Sequence, residues 1–424
     1  MVFVYFCSLL RQIKKMKKKM ITLALAAISV MTAQAQQQLT VSVTNPSAAA
    51  RTDQAVIIPL NSYGEVRRAL VTCEGKEIPC QLDDTDGNGT YDELFFYTDM
   101  KKKSSKQLQL SVLDYGQPRT YKAEVYADMM LTNKKIKESN KQDLYISHLT
   151  VDRGVNPYWM LHHHGCAFEN EMVAYRIYFD HRQTVDTYGK NHKGLELRDT
   201  QFYPDKEQKA LGYGDDVLWV GSTFGLGTVR GWNGQTPTMV NDVEHRTQRI
   251  IARGPLRTII EVIDEAWRPQ PDDAPVDMRI RYTLESGRRD CRVDLYFGRE
   301  CRELKFSTGV IKVKDSEEFS DHSGLRGCWG TDWPVSEKDS VGHKRETVGL
   351  GVCVPTEYLV NEMPEVEQNL PLVFYAPSQH LTYYITFGSD NEDFGMHSAK
   401  EWFAYLKSWK KELSLQPIKA VLKE

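Results

Sequence analysis

The chain has 424 residues, of which 41% are hydrophobic and 26% charged, and its formal net charge at pH 7 is -3. These values are ordinary for a globular protein, and a charge so close to zero gives no strong electrostatic attraction to nucleic acid or to an anionic membrane surface. The length predicts two domains, or one small and one large domain, with a core that needs no disulfide support.

The first 35 residues predict an export signal. Five lysines lie between positions 14 and 19, an apolar run covers 20–31, and Ala33-Gln34-Ala35 matches a signal-peptidase site. We expect the exported protein to begin at Gln36, in the periplasm or outside the cell, and not to be inserted in a membrane, because the apolar run is too short to span a bilayer. The residues before the lysines indicate a start assigned too far upstream. Seven cysteines follow the signal, so at least one thiol is expected to be free.

Residues 36–127 predict a small β-sandwich domain of immunoglobulin-like size. Apolar and polar side chains alternate over 39–43 and 107–112, as they do in half-buried strands. Clusters of Gly, Pro and Asp separate these runs and are typical of turns. Residues 128–150 include a polar, lysine-rich run at 134–141. They are predicted to form a linker or an excursion between the two domains.

A turn inside this small domain predicts a calcium site. Asp84, Asp86 and Asn88 have the spacing of the first three ligands of a calcium loop, and Gly89 stands at the sharp turn. Phe95 occupies the place of the bidentate ligand, so the loop departs from the EF-hand pattern at its strongest ligand. The alternative is an Asp/Asn-Gly hairpin turn that binds no metal. Calcium is the one cofactor that the sequence suggests.

Residues 151–424 predict a large antiparallel β domain. Strand-like runs recur at short intervals, for example at 172–179, 257–262 and 291–297, and polar and apolar residues alternate along them. Residues 398–413 instead show helical periodicity, with apolar side chains on one face, which predicts a packed amphipathic helix near the C-terminus. Strands do not alternate with long helices, which argues against an α/β barrel or a doubly wound sheet.

The stretch 162–232 predicts the functional site, because it combines titratable and aromatic residues with many glycines. His163 and His164 precede a glycine and can act as acid or base near neutral pH. Glu169 and Glu171 have the two-residue spacing that places side chains on one face of a strand, where their like charges would raise one pKa. With a histidine from a later segment added, the candidate acid and base residues are His163, His164, Glu169, Glu171, Tyr175, Tyr188 and His245.

Other side chains in this stretch are candidates for substrate binding. The planar guanidinium of Arg176 or Arg230 can bind a carboxylate in two places, Lys190 can bind an anion, and Trp232 can stack on a sugar ring. Trp232 lies between glycines and is expected to be exposed, whereas Trp219 lies in an apolar run and is expected to be buried. As an alternative, the charged residues pair with one another on a sheet face, the tyrosines belong to the core, and the histidine triplet is a solvated turn.

Several motifs resemble an uncharacterised family, DUF4861. These motifs are His164-Gly165, Ala174-Tyr175-Arg176, Tyr178-Phe179-Asp180, Tyr188-Gly189-Lys190, Phe224-Gly225-Leu226-Gly227 and Gly254-Pro255-Leu256-Arg257. The similarity extends over most of the chain after the signal. It implies a galactose-mutarotase-like supersandwich behind a small β domain. It also implies a secreted protein of bacterial glycan-utilisation systems, many of which handle pectin or uronates.

The residues and this resemblance lead to one functional hypothesis. We expect a carbohydrate-active protein that acts on acidic, uronate-containing oligosaccharides, such as pectic ones, by β-elimination or by hydrolysis in a cleft of the large domain. The alternatives are a glycan-binding protein without catalysis and a mutarotase-like epimerase, which the implied fold alone suggests. The expected partner is therefore an oligosaccharide, with no nucleic acid, and the oligomeric state stays open.

Overall fold

The computed structural model describes residues 36–132 and 144–423. The predicted export signal at 1–35 and the polar run at 134–141 lie outside these residues. The fold is mainly β, with 48% of residues in strands and 9% in helices, and the strands of its sheets pair in antiparallel fashion. The prediction of a mainly β protein is confirmed. Within the described residues, no helix is both long and apolar enough to cross a bilayer.

The N-terminal domain is a sandwich of two sheets. Its strands are β1 (Gln36–Asn45), β2 (Arg51–Pro59), β3 (Arg68–Cys73), β4 (Lys76–Ile78), β5 (Cys80–Asp83), β6 (Glu93–Met100), β7 (Ser104–Leu113) and, from the end of the chain, the last strand Lys419–Lys423. One sheet has the order last strand-β1-β7-β3-β4 and the other β2-β6-β5. Leu39, Val41 and Val43 alternate inward along β1 and pack against Leu108 and Leu110, as period-two patterning requires.

The domain boundaries differ from the predicted ones at both ends. The last strand, Lys419–Lys423, pairs with β1 through Val41↔Leu422, so the C-terminus belongs to the small domain and not to the large one. The strand β8 (Val125–Asp128) pairs with a strand of the large domain, so the small domain ends before residue 125 and not at 127. Local alternation predicts that a strand exists, but tertiary packing decides which sheet it joins.

A nine-stranded sheet forms one layer of the large domain. Its strands are β9 (His148–Asp152), β16 (His245–Arg253), β17 (Arg257–Trp267), β18 (Val276–Glu285), β19 (Asp290–Phe297), β21 (Glu317–Ser320), β22 (Leu325–Asp332), β23 (Glu346–Cys353) and β26 (His380–Ser389). Their order is β21-β22-β23-β26-β19-β18-β17-β16-β9. Alternate side chains along β18, from Met278 to Leu284, are buried in the core.

Two five-stranded sheets form the facing layer. The first contains β8, β10 (Gly165–Asn170), β11 (Ala174–Tyr178), β12 (Val185–Gly189) and β13 (Asp215–Asp216); the second contains β14 (Arg230–Trp232), β15 (Pro237–Thr238), β20 (Lys305–Ile311), β24 (Leu359–Glu362) and β25 (Asn369–Tyr375). Single bridges from Gly225 to Val185 and from Leu226 to Val310 connect them. One apolar core lies between this layer and the nine-stranded sheet, which gives the predicted large β-sandwich.

The predicted C-terminal helix is confirmed as Ala399–Leu413. Ser398 caps it by accepting a hydrogen bond from the Glu401 backbone N–H. Trp402, Leu406 and Trp409 are buried on its inner face, where they pack against Leu325 and Trp329 of β22. Two short helices, Leu197–Thr200 and Lys206–Ala210, lie in the connection between β12 and β13. All seven cysteines of the described residues are free thiols.

A buried polar contact joins the two domains. The Arg257 guanidinium contacts Asp83 at 2.7 Å and Glu93 at 2.8 Å, and Gln81 accepts hydrogen bonds from the backbone N–H groups of Leu256 and Arg257. Asp83 and Arg257 are each almost fully buried. Because each charge has a partner, this contact fixes the orientation of the small domain without leaving an uncompensated buried charge.

Candidate functional site

The outer face of the sheet β8-β10-β11-β12-β13 carries a row of polar side chains. Strand residues alternate between two faces, so Tyr175 and Ile177 point into the core while Arg176 points outward. The pairing of β11 with β12 places Arg176 opposite Asp186, and that of β12 with β13 places Tyr188 opposite Asp216. The register of three strands therefore brings these outward groups to one face.

A covering segment closes much of this face. The connection at 190–214, which contains the two short helices, lies over the sheet and places Phe202 against Arg176, with 4.0 Å between the guanidinium carbon and the ring centroid. Phe202 packs together with Leu197, Ala167, Ala174 and Tyr188. The small side chains of the two alanines leave the room that the large residues fill. Arg176 is consequently only 3% exposed.

Arg176 binds two carboxylates at once. Its Nη2 lies 2.6 Å from Asp186 Oδ2 and 2.8 Å from Asp216 Oδ2. Its Nη1 donates to the Tyr203 hydroxyl at 2.5 Å, and the Tyr178 hydroxyl donates to Asp186 at 2.8 Å. These five side chains, Arg176, Asp186, Asp216, Tyr178 and Tyr203, are called the Arg176 centre below. With both carboxylates in place, the guanidinium has no vacancy for the carboxylate of a substrate.

Asp216 is the carboxyl group of this centre that reaches solvent. Its side chain is 17% exposed, whereas that of Asp186 is fully buried. Burial raises the pKa of Asp216 well above its ordinary range, and the neighbouring Asp186 raises it further, while Arg176 opposes both effects. Two carboxyl groups that share one cation cannot both ionise freely. The raised pKa favours the protonated form of Asp216, which suits this group to deliver a proton as an acid.

Aromatic side chains border the centre on its solvent side. His164 stacks on Tyr158 with 3.8 Å between ring centroids, and Trp159 meets His164 edge-on at 5.1 Å. Trp159 is 67% and Tyr203 is 39% exposed. We call Tyr158, Trp159, His164 and Tyr203 the aromatic rim. Exposed aromatic rings can stack on the apolar face of a sugar. Their hydroxyl and N–H groups can form hydrogen bonds at the same time.

The histidine triplet lies in a strained turn just before β10. His163 and His164 have φ values of 57° and 65°, which side chains with a β-carbon seldom adopt. Burial lowers the pKa of His162 and of His164 to about 4, so both rings are neutral at pH 7. Gly165 follows because a β-carbon there would lie 1.8 Å from the Ile177 carbonyl oxygen.

His163 points inward from this turn. Its Nε2 lies 3.4 Å from Asp128 Oδ1, and both side chains are buried. The Tyr126 hydroxyl donates to the other oxygen of Asp128 at 2.9 Å. Neither ring nitrogen of His163 makes a hydrogen bond within the described residues. His163 therefore points into the protein toward Asp128, whereas His164 belongs to the aromatic rim.

Glu169 and Lys190 form a buried ion pair under the covering segment. The Lys190 ammonium donates to Glu169 at 2.5 Å and to the carbonyl of Asn170 at 2.7 Å, and neither Lys190 nor Glu169 is exposed. Burial raises the pKa of Glu169, while Lys190 and the backbone N–H groups of Glu196 and Leu197 oppose this. Because all of these partners belong to the protein, the arrangement anchors the segment and leaves no group for a substrate.

The remaining candidate acids and bases lie apart from the Arg176 centre. Glu171 follows the end of β10, so it does not share a face with Glu169, and it accepts the Gly287 backbone N–H at 3.1 Å. Tyr175 is buried and donates to the Arg289 carbonyl at 2.9 Å. Tyr188 is buried beside Phe202. His245 lies on the surface between Asp152 and Glu265.

The candidate substrate-binding residues of β14 are also apart from the centre. Arg230 is buried, and its guanidinium donates to the carbonyls of Val229 and Thr223; burial lowers its pKa to about 9. The expected exposures of the two tryptophans were wrong. Trp232 is 7% and Trp219 is 50% exposed, because β15 and Pro269 cover the strand of Trp232.

Several residues of the candidate site were not among the residues predicted from the sequence. Asp186 and Asp216 lie within the predicted stretch but were not among the candidates, and neither were Tyr178 and Tyr203. Trp159 lies just outside it. The available signal was register: Arg176 and Asp186 flank a tight connection between two strands, and such pairs meet across a ladder. Nothing local marks Asp216, which the strand pairing brings to Arg176 across 40 positions of sequence.

The acidic turn of the small domain remains a candidate metal site. Within the described residues, the one group of three or more metal-ligating side chains that lie close together is Asp84, Asp86 and Asp92, whose oxygens are within 4.8 Å of one another. Asn88, predicted as a ligand, instead donates to Asp86 and accepts from Thr90. Asp92, absent from the predicted set, replaces it. Carboxylate oxygens are the ligands that calcium prefers.

The calcium turn stays a prediction with a direct test. We expect calcium to raise the melting temperature of the protein, since a ligand that binds only the folded state at 100 times its Kd stabilises it by about 2.7 kcal/mol. Asp86→Ala should remove this response, whereas Glu65→Ala, which removes an exposed carboxylate of the same domain, should retain it. Identical melting curves of the unchanged protein with calcium and with a chelator would exclude the site.

The fold and the site together define a class: a large antiparallel β-sandwich protein with a buried arginine-carboxylate centre beneath an aromatic rim. The chain belongs to the family described as a domain of unknown function, DUF4861, whose match covers residues 43–419. The predicted resemblance is thereby confirmed.

Two solved structures are similar to the chain at low sequence identity. The chain is similar to a protein of glycosyl hydrolase family 38 from Enterococcus faecalis, with 9% identity and a TM-score of 0.45, over 91% of this chain and 47% of that one. It is also similar to an alpha-mannosidase from Enterococcus faecalis V583, with 10% identity and a TM-score of 0.44, over 91% and 46% of the two chains. The chain thus spans about half the length of these two proteins. No curated protein matches the sequence.

Proposed function

We propose that this protein is an exported carbohydrate-active enzyme that cleaves acidic, uronate-containing oligosaccharides at the Arg176 centre. The observation that carries the proposal is the position of Asp216. This carboxyl has a raised pKa, it is partly open to solvent, and it shares a cation with a second carboxylate. The exposed ring of Tyr203 accepts a hydrogen bond from Arg176 through its hydroxyl, and the exposed ring of Trp159 contacts His164.

Hydrolysis is the reaction that this geometry supports best. Glycoside hydrolysis commonly uses a carboxylic acid that protonates the leaving oxygen and a second carboxylate that acts as base or nucleophile. In the proposed reaction, Asp216 is the acid that protonates the leaving oxygen. The fully buried Asp186 does not touch the sugar and acts through Asp216, whose pKa it raises. Arg176 positions both of them through its contacts with their Oδ2 atoms. The rings of the aromatic rim orient the sugar above them, which supplies the proximity that cleavage requires.

Recognition of an acidic sugar rests on Arg182 and not on Arg176. The Arg182 guanidinium lies 4.7 Å from the Tyr158 ring centroid and 4.9 Å from that of Tyr178, so it borders the aromatic rim. Its side chain is 20% exposed although it pairs with Asp180. A partly exposed guanidinium beside the rim can bind a uronate carboxylate.

One observation favours β-elimination as a second candidate reaction. The Nδ1 of His164 lies 3.0 Å from the Tyr158 carbonyl oxygen. Since a carbonyl can only accept a hydrogen bond, Nδ1 carries the proton and Nε2 keeps a free lone pair. With a pKa of about 4, the neutral ring can take the proton next to a uronate carboxylate, as a lyase requires.

An assay on acidic and neutral oligosaccharides tests the proposal. The protein from residue 36 onward is incubated with oligogalacturonates and, as matched neutral controls, with galactose oligomers of the same length. We expect new reducing ends from the acidic series, without the ultraviolet absorbance of an unsaturated uronate. That absorbance would assign the reaction to His164 as a lyase base. Binding without any product over a long incubation would refute catalysis and leave a recognition protein.

A further inference from the structure

A cavity lies between the two domains, away from the Arg176 centre. Its volume is about 680 Å³, within the range of roughly 300–1,000 Å³ that small-molecule sites occupy, and such sites favour domain interfaces. Three further cavities measure 240 to 270 Å³ and fall below that range. The polar side chains that line the larger cavity are Asp53, Tyr97, Lys122, Glu124, Glu171 and Lys193.

Hydrogen bonds hold the walls of this cavity in place. The Tyr97 hydroxyl donates to the Leu256 carbonyl at 3.2 Å and accepts from the Ser286 hydroxyl at 3.3 Å. The Glu171 carboxylate accepts the Gly287 backbone N–H. The Glu171 carbonyl accepts from the Gly194 N–H at 2.9 Å. The ring and the carboxylate are therefore oriented before any ligand arrives, which lowers the entropy cost of binding.

The charges along the walls fit a neutral ligand with many hydroxyl groups. In the described parts of the chain, the ammonium groups of Lys122 and Lys193 make no ion pair, and the carboxylates of Asp53 and Glu124 make none either. Ammonium and carboxylate groups thus line the same cavity. A hydroxyl group can donate to a carboxylate and accept from an ammonium. An anion would meet three carboxylates, and a cation would meet two ammonium groups.

From this lining we propose that the interdomain cavity binds a neutral sugar, either a single hexose or a short neutral oligosaccharide. Glu171 and Glu124 accept hydrogen bonds from its hydroxyls, Lys122 and Lys193 donate to its oxygens, and the fixed ring of Tyr97 packs against its apolar face. The site does not depend on catalysis at the Arg176 centre. It gives Glu171 a role in binding.

Calorimetric titration of the protein from residue 36 onward tests the cavity. The probes are D-glucose, D-galactose, D-mannose and maltotriose, with D-galacturonate as the charged counterpart of galactose. We expect at least one neutral probe to bind and galacturonate to bind more weakly than galactose. Glu171→Gln and Lys193→Ala should each lower the affinity for the neutral probe by about tenfold or more, since each removes a hydrogen bond to a charged group. Lys400→Ala, on the exposed side of the C-terminal helix, should bind as the unchanged protein does.

A variant of the other site makes the result specific. Asp216→Asn should retain the affinity for the neutral probe, because Asp216 lies outside the cavity. Loss of binding in Asp216→Asn but not in Glu171→Gln would place the sugar at the Arg176 centre and overturn the cavity proposal. Tighter binding of galacturonate than of galactose would overturn it as well, and so would the failure of all four neutral probes to bind at millimolar concentration. None of these outcomes decides whether the Arg176 centre is catalytic.

Discussion

Asp216→Asn is expected to abolish most of the catalytic activity while the protein remains folded. The amide has nearly the shape of the carboxyl and can still accept a hydrogen bond from Arg176, but it cannot deliver a proton. Loss of a general acid lowers the rate by roughly 10²–10⁴-fold. The measurement is kcat on the oligosaccharide that the unchanged protein cleaves best. Glu207→Gln is the matched control, since it removes an exposed carboxylate of the covering segment.

The same variant has a predictable effect on stability. Burial and Asp186 raise the pKa of Asp216 in the folded protein, so the folded state holds this proton more tightly than the unfolded state does. Stability contributed by the protonated form is therefore lost as pH rises from the ordinary aspartate pKa through the raised one. Asp216→Asn carries no such penalty and should be at least as stable as the unchanged protein at pH 8.

The proposed activity of the unchanged protein should depend on pH for the same reason. Activity that requires protonated Asp216 falls as pH rises through the raised pKa, and Arg176, Asp186 and Asp215 are the charged neighbours that set its value. A rate that stayed flat across this range, or full activity in Asp216→Asn, would remove Asp216 from the reaction. A marked loss of stability in Asp216→Asn would instead show that its carboxylate mainly supports the fold.

Lys190→Met is expected to destabilise the protein by about 3–5 kcal/mol, the usual cost of leaving one charge of a buried pair without its partner. The Glu169 carboxylate would still accept hydrogen bonds from the N–H groups of Glu196 and Leu197. It would lose its cation at a position closed to solvent. Urea unfolding, followed by tryptophan fluorescence, measures this change. A catalytic lysine would behave differently, with activity lost and stability kept.

The double variant Glu169→Gln with Lys190→Met separates charge from packing. It contains no buried charge, and the amide oxygen of Gln still accepts one backbone N–H, so it should recover a large share of the stability lost in Lys190→Met. Lys193→Met, three positions along at an exposed lysine, is the control and should change stability by less than about 0.5 kcal/mol. A loss below about 1 kcal/mol in Lys190→Met would contradict the structural role given to this pair.

The periodicity of apolar side chains correctly predicted individual strands and the C-terminal helix, because these depend on residues close together in the sequence. Alternation over 39–43 became the core face of β1, and the helical pattern of 398–413 became Ala399–Leu413, because side-chain periodicity alone decides which face can be buried. The strand at Lys419–Lys423 also alternates, but its partner β1 lies at the other end of the chain. No window of sequence contains that information.

The sequence indicated the stretch that contains the candidate site better than it indicated the residues that form it. Glycines and charges in 162–232 do mark the sheet that carries Arg176. The alternative that charged residues pair on a sheet face included the pairs Arg176–Asp186 and Lys190–Glu169, and both occur. Spacing could not show that Arg176 would also bind Asp216. Charged residues on one face choose partners by register, which depends on strand pairing. The reversed exposures of Trp219 and Trp232 have a similar cause: β15 covers one ring and leaves the other open.

The pairing of β1 with Lys419–Lys423 has a consequence for the order of assembly. Residues 36–113 are translated before the large domain, whereas the strand Lys419–Lys423 that completes their sheet is translated after it. Until it arrives, β1 presents an unpaired edge with the alternating pattern that invites other chains to add to it. The sheet that contains β1 is thus begun before the large domain is synthesised and can be completed only after it.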